Sequence, residues 1–583
     1  MSPASATAAG GRKRIAVIGG GPAGLTTVKE LAEKGFEVTA FDRNPGLGGV
    51  FTTAYAGLQL TSSSLITAFG AFVRDRDLER PTLWQCGEYL EYMEEFARHF
   101  GLHRHYRFST TVKSVRRAPG GGWRVRSAAA GEDGAAAVET EEAFDHVVIC
   151  AGSNVKPVYP EWARPENFDG QILHSGQVHD GSAFAGKRVL IVGMGESGSD
   201  MALMAARAGE ACAISTRNGP GYVIPRLYRG LPTDMDTNRC YHGLPRSVVN
   251  KPVVRFKVKI EDALLLPDAD RKVLRKVGEI NRVRGVAPFN RFGTKSTAFV
   301  EAMIYHGATY HPGVAELRRD GVVFADGTEF PCDTIVCCTG FAPEFAFLNE
   351  HAPELARRGC DARSLYKRMF IPEVGTGIAW MGLVRPAVGG VPACAEMQAR
   401  YLALVLSGEK ALPSHAEMHA DIQMHAELDH RQFGHDADRL RTMADLFRYM
   451  ESMAHEIGCR PPLRRLFLRD PLTALKVAFG PLSAAQYRLT GPGAEPVRAR
   501  SVLRRLPTMP WPVLAYELML MTGCWAAGLT REPWRKWQRR PAAAPVPAAA
   551  AVPAASVPAA APVPAPVTVS TVAPVAAVAG KRG

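Results

Sequence analysis

The chain has 583 residues, 46% hydrophobic and 22% charged, an ordinary balance for a globular protein and length for roughly three or four domains. A formal net charge of +13, much of it between Arg464 and Arg540, comes without any nucleic-acid-binding motif. It fits a doubly phosphorylated cofactor, an anionic membrane surface or solvated helix faces. The 11 cysteines are odd in number, form no CxxC pair and show no regular spacing, so nothing points to a disulfide framework or a zinc site.

Arg12-Lys13-Arg14 leads into an apolar stretch that breaks at once into glycines. No secretory h-region follows, so a reducing, cytoplasmic setting is expected. RIAVIG (14–19) predicts a buried strand and LTTVKELAEKG an amphipathic helix, with FEVTAFD a second strand ending at Asp42. Between strand and helix, Gly19, Gly21 and Gly24 fit GxGxxG. The first glycine permits the tight turn, the second lets backbone approach a pyrophosphate, and the third lets the helix pack on the strand. Asp42 stands where an acid accepts ribose hydroxyls.

VKSVRRAPGGGWRVRS predicts a hairpin and DHVVICAG another buried strand. The β-α-β plan then recurs: VLIVG, the turn Gly193-x-Gly195-x-Ser197-Gly198, a helix, and a strand ending at Thr216-Arg217. An arginine there can pair with a 2′-phosphate that an acid would repel, which points to NADP. Glu196 is anomalous, because a carboxylate near a phosphate-binding turn is unfavourable unless it points away. GVVFADGTEFPCDTIVCCTGF predicts a hairpin turning at Asp326-Gly327 and one more buried strand. From about residue 395 the pattern turns helical, and from Pro541 onward the chain is almost all Ala, Pro and Val, a disordered tail. Two dinucleotide folds imply two cofactors, and a nicotinamide needs a hydride acceptor such as a flavin.

With these motifs in order, the chain resembles the flavin-containing monooxygenases from about residue 14 to about 505. Phe168-x-Gly170-x-x-x-His174-Ser175 is similar to the family's identifying motif, just before the second glycine turn. Asp42-Arg43 with Gly48-Gly49, Asp333 through Thr339-Gly340-Phe341, residues 382–400 and residues 466–493 resemble further family stretches. The resemblance implies an α/β fold of two Rossmann-like domains with a helical C-terminal region. It divides the chain into a disordered N-terminus (1–13), FAD-binding parts (14–166 and 301–440), an NADP-binding domain (167–300), a helical region (441–540) and the tail (541–583). FAD would contact Gly19, Gly21, Pro22, Ala23, Gly24, Asp42, Arg43, Gly48, Gly49, Val50, Val112, Thr339 and Gly340. NADPH would contact Gly193, Gly195, Ser197, Gly198, Thr216 and Arg217.

The mechanism implied by the resemblance is hydride transfer from NADPH to FAD, then O2 addition to give a C4a-hydroperoxyflavin. A soft nitrogen or sulfur nucleophile of a small molecule then takes the distal oxygen. Two departures bear on this. Val178 stands where the family motif ends in Tyr or Phe and where Baeyer–Villiger enzymes carry Trp. Ser62 stands where the family has an asparagine that helps hold the oxygenated flavin, and a hydroxyl offers one donor where an amide offers two. Baeyer–Villiger oxygenation of a ketone and uncoupled NADPH oxidation therefore stay open. A disulfide reductase is disfavoured, because Arg43 to Phe72 contains no cysteine. His174 reads as a structural hydrogen-bonder. Val513 to Leu529, with the basic and tryptophan-containing stretch to 540, reads as an interfacial helix in peripheral membrane contact or as a helix packed on the domain. The sequence leaves substrate and oligomeric state open.

Overall fold

Runs of branched apolar residues buried on both faces form parallel strands, because only a sheet covered on both sides can hide them. In chain order the elements that frame the site are β1 (Arg14–Ile18), α1 (Pro22–Glu33), β2 (Glu37–Phe41), β3 (Tyr106–Arg107), β4 (His146–Ile149), β5 (Gln171–His174), β6 (Arg188–Val192), α2 (Glu196–Ala208), β7 (Ala211–Ser215), β8 (Thr309–His311), β9 (Thr334–Cys337), β10 (Ile378–Trp380), α3 (Val391–Leu406) and α4 (Trp511–Ala526). The computed structural model describes residues 12–131, 137–228, 230–245, 248, 267–284, 293–434, 436, 440–508 and 511–527. The expected disordered N-terminus up to residue 11, the basic stretch 528–540 and the tail 541–583 lie outside the described residues.

The first sheet runs β10-β4-β1-β2-β3 and the second β8-β7-β6-β9-β5, with every neighbouring pair parallel. The two halves repeat each other in detail. Each central strand opens with an arginine whose backbone N–H donates to an aspartate just before the neighbouring strand: Arg14 to Asp145 at 2.7 Å and Arg188 to Asp333 at 2.8 Å. The expected boundary at residue 300 shifts. Both β8 and β9 follow it, yet β8 pairs with β7 and β9 with β6, so the second sheet is completed only by these later strands. The chain rejoins the first sheet at β10.

Both expected hairpins form. Thr110–Arg117 pairs antiparallel with Trp123–Ala129, and Gly321–Phe324 pairs with Glu329–Pro331 around the turn at Gly327, whose φ is +82°. After β10 the chain is mostly helical, and the large apolar cluster joins α1 and α3 to Trp84, Tyr89 and Tyr92. Among the described residues no helix is long and apolar enough to cross a membrane. In α4 the carboxylate of Glu517 is buried and accepts from Asn238 Nδ2 at 2.8 Å, while Trp511, Leu518 and Met519 stay exposed. One face of α4 therefore docks on the protein.

Candidate cofactor and active site

The first glycine turn is built so that only glycine fits. Gly19 has φ +122°, and a Cβ there would lie 2.4 Å from Cys150 O. A Cβ on Gly24 would lie 1.9 Å from Gly19 O, inside any contact distance. Gly21 caps α1 with no side-chain hydrogen bond, and Pro22 and Ala23 open the helix. The first amides of α1 are thus left for an anion, which a helix N-terminus favours. Gly48 N–H donates to Gly20 O at 3.1 Å, and a Cβ on Gly49 would come within 3.1 Å of Gly21 Cα. The Gly48-Gly49 pair is therefore pressed against the turn, and Val50 beside it is exposed. The Asp42 carboxylate is buried and accepts from the N–H groups of Gly20 and, at 2.7 Å, Asn44. Each oxygen keeps a lone pair for a ribose hydroxyl. Arg43 is exposed, and Thr110 N–H donates to Asp42 O at 2.8 Å, so the strand carrying half-buried Val112 starts at this corner. The cradle fits a dinucleotide pyrophosphate.

The second turn repeats this geometry. Gly193 has φ +98°, a Cβ on Gly198 would lie 2.1 Å from Gly193 O, and Gly195 caps α2 with no side-chain bond. Ser197 follows in the first turn of α2. Thr216 Oγ1 bonds the Tyr310 hydroxyl at 2.6 Å. Arg217 is exposed and, among the described residues, has no carboxylate in ion-pair range. It is free to meet a 2′-phosphate. Arg217→Ala is expected to weaken NADPH about tenfold or more while sparing NADH, the scale of a hydrogen bond to a charged group, checked by steady-state comparison of the two nucleotides.

One assignment moves. Thr339 and Gly340, expected at the FAD turn, follow β9 and lie against the second turn: a Cβ on Gly193 would sit 2.7 Å from Cys338 O and 3.7 Å from Thr339 N. Cys150-Ala151-Gly152, which follows β4, holds the corresponding place at the first turn. The repeat Asp145…Cys150-Ala-Gly152 and Asp333…Cys338-Thr-Gly340 carried that signal. Burial pushes the Cys150 thiol up to about 12, so the thiol beside this turn is no reactive thiolate.

Ser62 is buried near the N-terminus of α3: a Cβ on Gly390, the residue capping α3, would lie 3.5 Å from Ser62 Oγ. The adjacent Ser63 N–H donates to Asp234 Oδ2 at 2.7 Å, which fixes the loop. On the other side, Glu196 does point away from the glycine turn, accepting from Lys295 N–H at 2.8 Å. Tyr55 and Arg226 both donate to the Asp200 carboxylate, at 2.8 and 2.7 Å, and so tie the loop after Gly49 to α2. His174 is fully buried. Its Nδ1 accepts from Gly176 N–H at 3.2 Å, so Nε2 carries the proton and donates to Gly340 O at 3.0 Å. Burial lowers its pKa, as suits a neutral structural ring. Val178 lies in the core of the second domain, among Phe184, Val189 and Met201. Asp234, Lys295 and Arg226 come from a stretch without recognisable motif, and only the anomaly of Glu196 hinted at them.

A model of the family described as flavin-binding monooxygenase-like matches residues 12–508. Among curated relatives, a 4-hydroxybenzoate brominase (decarboxylating) of Marinomonas mediterranea is 32% identical over 87% of this chain and 96% of its own. Human flavin-containing monooxygenase 2 is 31% identical over 82% of this chain and 89% of its own. The solved S-allyl-L-cysteine S-oxygenase of Allium sativum shares the fold with TM-score 0.54 at 20% identity, covering 88% of this chain and 99% of its own.

Proposed function

The chain belongs to the flavin-binding monooxygenase-like family, and from that membership we propose that it transfers one oxygen atom of O2 to a soft nucleophile, an amine nitrogen or a sulfur, of a small molecule. It is an FAD-dependent NADPH monooxygenase. When bound, the two cofactors supply the hydride and the oxygen activation. The protein's share is placement. The uncapped N-termini of α1 and α2 take the phosphates, and α3 directs a third helix N-terminus at Ser62. That third N-terminus, beside a buried hydroxyl, is the observation that carries the reading, because it favours negative charge where oxygen is to be activated.

A halide is a soft nucleophile of the same class. The names of two relatives, both 4-hydroxybenzoate brominases, favour bromide as a further acceptor. The test is a panel of a tertiary amine, a sulfide, a ketone, and bromide with a phenol, in which NADPH, peroxide and product are counted together. Peroxide equal to NADPH with every acceptor, or turnover of the ketone alone, would overturn the reading. Ser62→Asn restores the second donor of an amide and is expected to lower peroxide released per NADPH severalfold, at roughly the worth of one hydrogen bond. An unchanged ratio would remove Ser62 from the chemistry.

The exposed Trp511, Leu518 and Met519 of α4 are the surface for the expected peripheral membrane contact through 513–540. Full-length protein is expected to float with anionic vesicles, and a chain ending at residue 508 is not. Equal flotation would refute the contact.

A further inference from the structure

We propose that Tyr55 is a positioning residue for hydride transfer. Its hydroxyl pins the loop beside the first glycine turn to the helix that opens at the second, and so sets the separation of the two cofactors. Such a pin serves the reductive half of the cycle alone and is independent of which acceptor takes the oxygen.

The two glycine turns belong to different sheets, so nothing inside either half fixes how far apart their ligands lie. That distance is set by contacts between the halves, and the loop after Gly49 reaches across. Ala56 N–H donates to His179 O at 2.7 Å, and Ser63 N–H donates to Asp234 Oδ2 at 2.7 Å. Both use backbone that any residue but proline would supply. The Tyr55 hydroxyl adds a contact that only this side chain makes, donating to Asp200 Oδ2 at 2.8 Å across 145 residues of chain. Its ring packs on the apolar core of the second half, the cluster that holds Phe184 and Met201.

Both ends of the pin are anchored. Asp200 lies in α2, its side chain is 11% exposed, and Arg226 donates to its two oxygens at 2.9 and 2.7 Å. Ser296 Oγ donates to it at 3.0 Å. The carboxylate is therefore held whether or not Tyr55 meets it, and the tyrosine bond serves the loop. Upstream of Tyr55, Gly49 is pressed against Gly21. Downstream, Leu60 N–H donates to Trp84 O at 2.9 Å. A displacement at Tyr55 is passed to the first turn on one side and to α2 on the other.

The step served moves one hydride, a proton with two electrons, from NADPH to oxidised FAD, leaving NADP⁺ and reduced flavin. Tyr55 exchanges no proton in it and acts only through placement. Reacting atoms must come within about 3–3.5 Å, and an error of about 1 Å costs on the order of a hundredfold in rate.

Tyr55→Phe removes the hydroxyl and keeps the ring. Oxidised, FAD-loaded enzyme is titrated with NADP⁺ while the flavin spectrum is followed, and the same protein is mixed anaerobically with NADPH to time flavin bleaching. The limiting rate of bleaching is expected to fall about tenfold, the worth of a hydrogen bond to a charged group, while NADP⁺ affinity stays within about twofold. The change that saturating NADP⁺ makes in the flavin band should shrink, because the nicotinamide no longer sits squarely on the ring. Asp200→Asn serves if the phenylalanine variant does not load flavin. The double variant is expected to be no slower than the slower single one, since one bond is lost only once. Unchanged bleaching with an unchanged band overturns the proposal. So does a rate loss that follows an equal loss of NADP⁺ affinity, which would make Tyr55 a support of the nucleotide site alone. Losses that multiply in the double variant overturn it as well. Oxygen is excluded throughout, so failure to oxygenate any acceptor would sink the proposed function and leave this result standing.

Discussion

Gly24→Ala is expected to purify colourless, whereas Gly198→Ala is expected to stay yellow and lose NADPH. The added methyl carbon would stand 1.9 Å from Gly19 O in the first case and 2.1 Å from Gly193 O in the second. Both obstacles are backbone, so neither can swing aside as a side chain would. Each helix must back away from its turn, at about 1–3 kcal/mol for overpacking. The larger effect is on binding, because the amides at the helix N-terminus then miss the pyrophosphate. Flavin per chain from absorbance and NADP⁺ affinity by calorimetry check the pair. If Gly198→Ala lost flavin and Gly24→Ala kept it, the assignment of the two turns would be reversed.

The legible part of the molecule is where local chemistry dictates geometry. Glycine at 19, 24, 193 and 198 is demanded by positive φ or by backbone contact, so the turns and the strands that flank them could be read directly. Arg217 could be read too, because its place at the end of β7 follows from the same repeat. Thr339-Gly340 lies against the second turn rather than the first for a physical reason. The crossover that places β9 beside β6 is tertiary, and the segment alone resembles 145–152 equally well. Lys295, Asp234 and Ser63 lie far apart in sequence and have no periodicity. Ser63 meets Asp234, and Lys295 meets Glu196, only through tertiary packing, which no spacing rule anticipates.

Arg488→Met should cost about 3–5 kcal/mol of stability, the loss typical of breaking a buried ion pair from one side. The Arg488 guanidinium is 1% exposed and lies 2.5 Å from both Glu30 of α1 and Glu396 of α3. Glu396 in turn accepts from the N–H groups of Gly70 and Ala71, at 2.5 and 3.2 Å, just beyond the loop that carries Ser62. The arginine therefore joins both helices of the flavin half to the active-site loop. Methionine fills much of its volume but leaves Glu396 without its guanidinium partner and Glu30 with Lys29 alone, at 3.1 Å. The sign of the pH dependence should also change. In the wild type burial pushes Glu30 up, but Arg488 and Lys29 outweigh it and hold the group at about 2, below its ordinary 4.5. That contribution is complete above about pH 4.5 and is lost as pH falls toward 2. Without Arg488, burial dominates and the folded pKa rises above the unfolded one. The variant then gains stability as pH falls from neutral toward 4.5, where the wild type does not. Urea unfolding at neutral and mildly acidic pH measures both slopes. A loss under about 1 kcal/mol, or parallel slopes, would mean that Lys29 alone compensates the cluster and that Arg488 is not its centre.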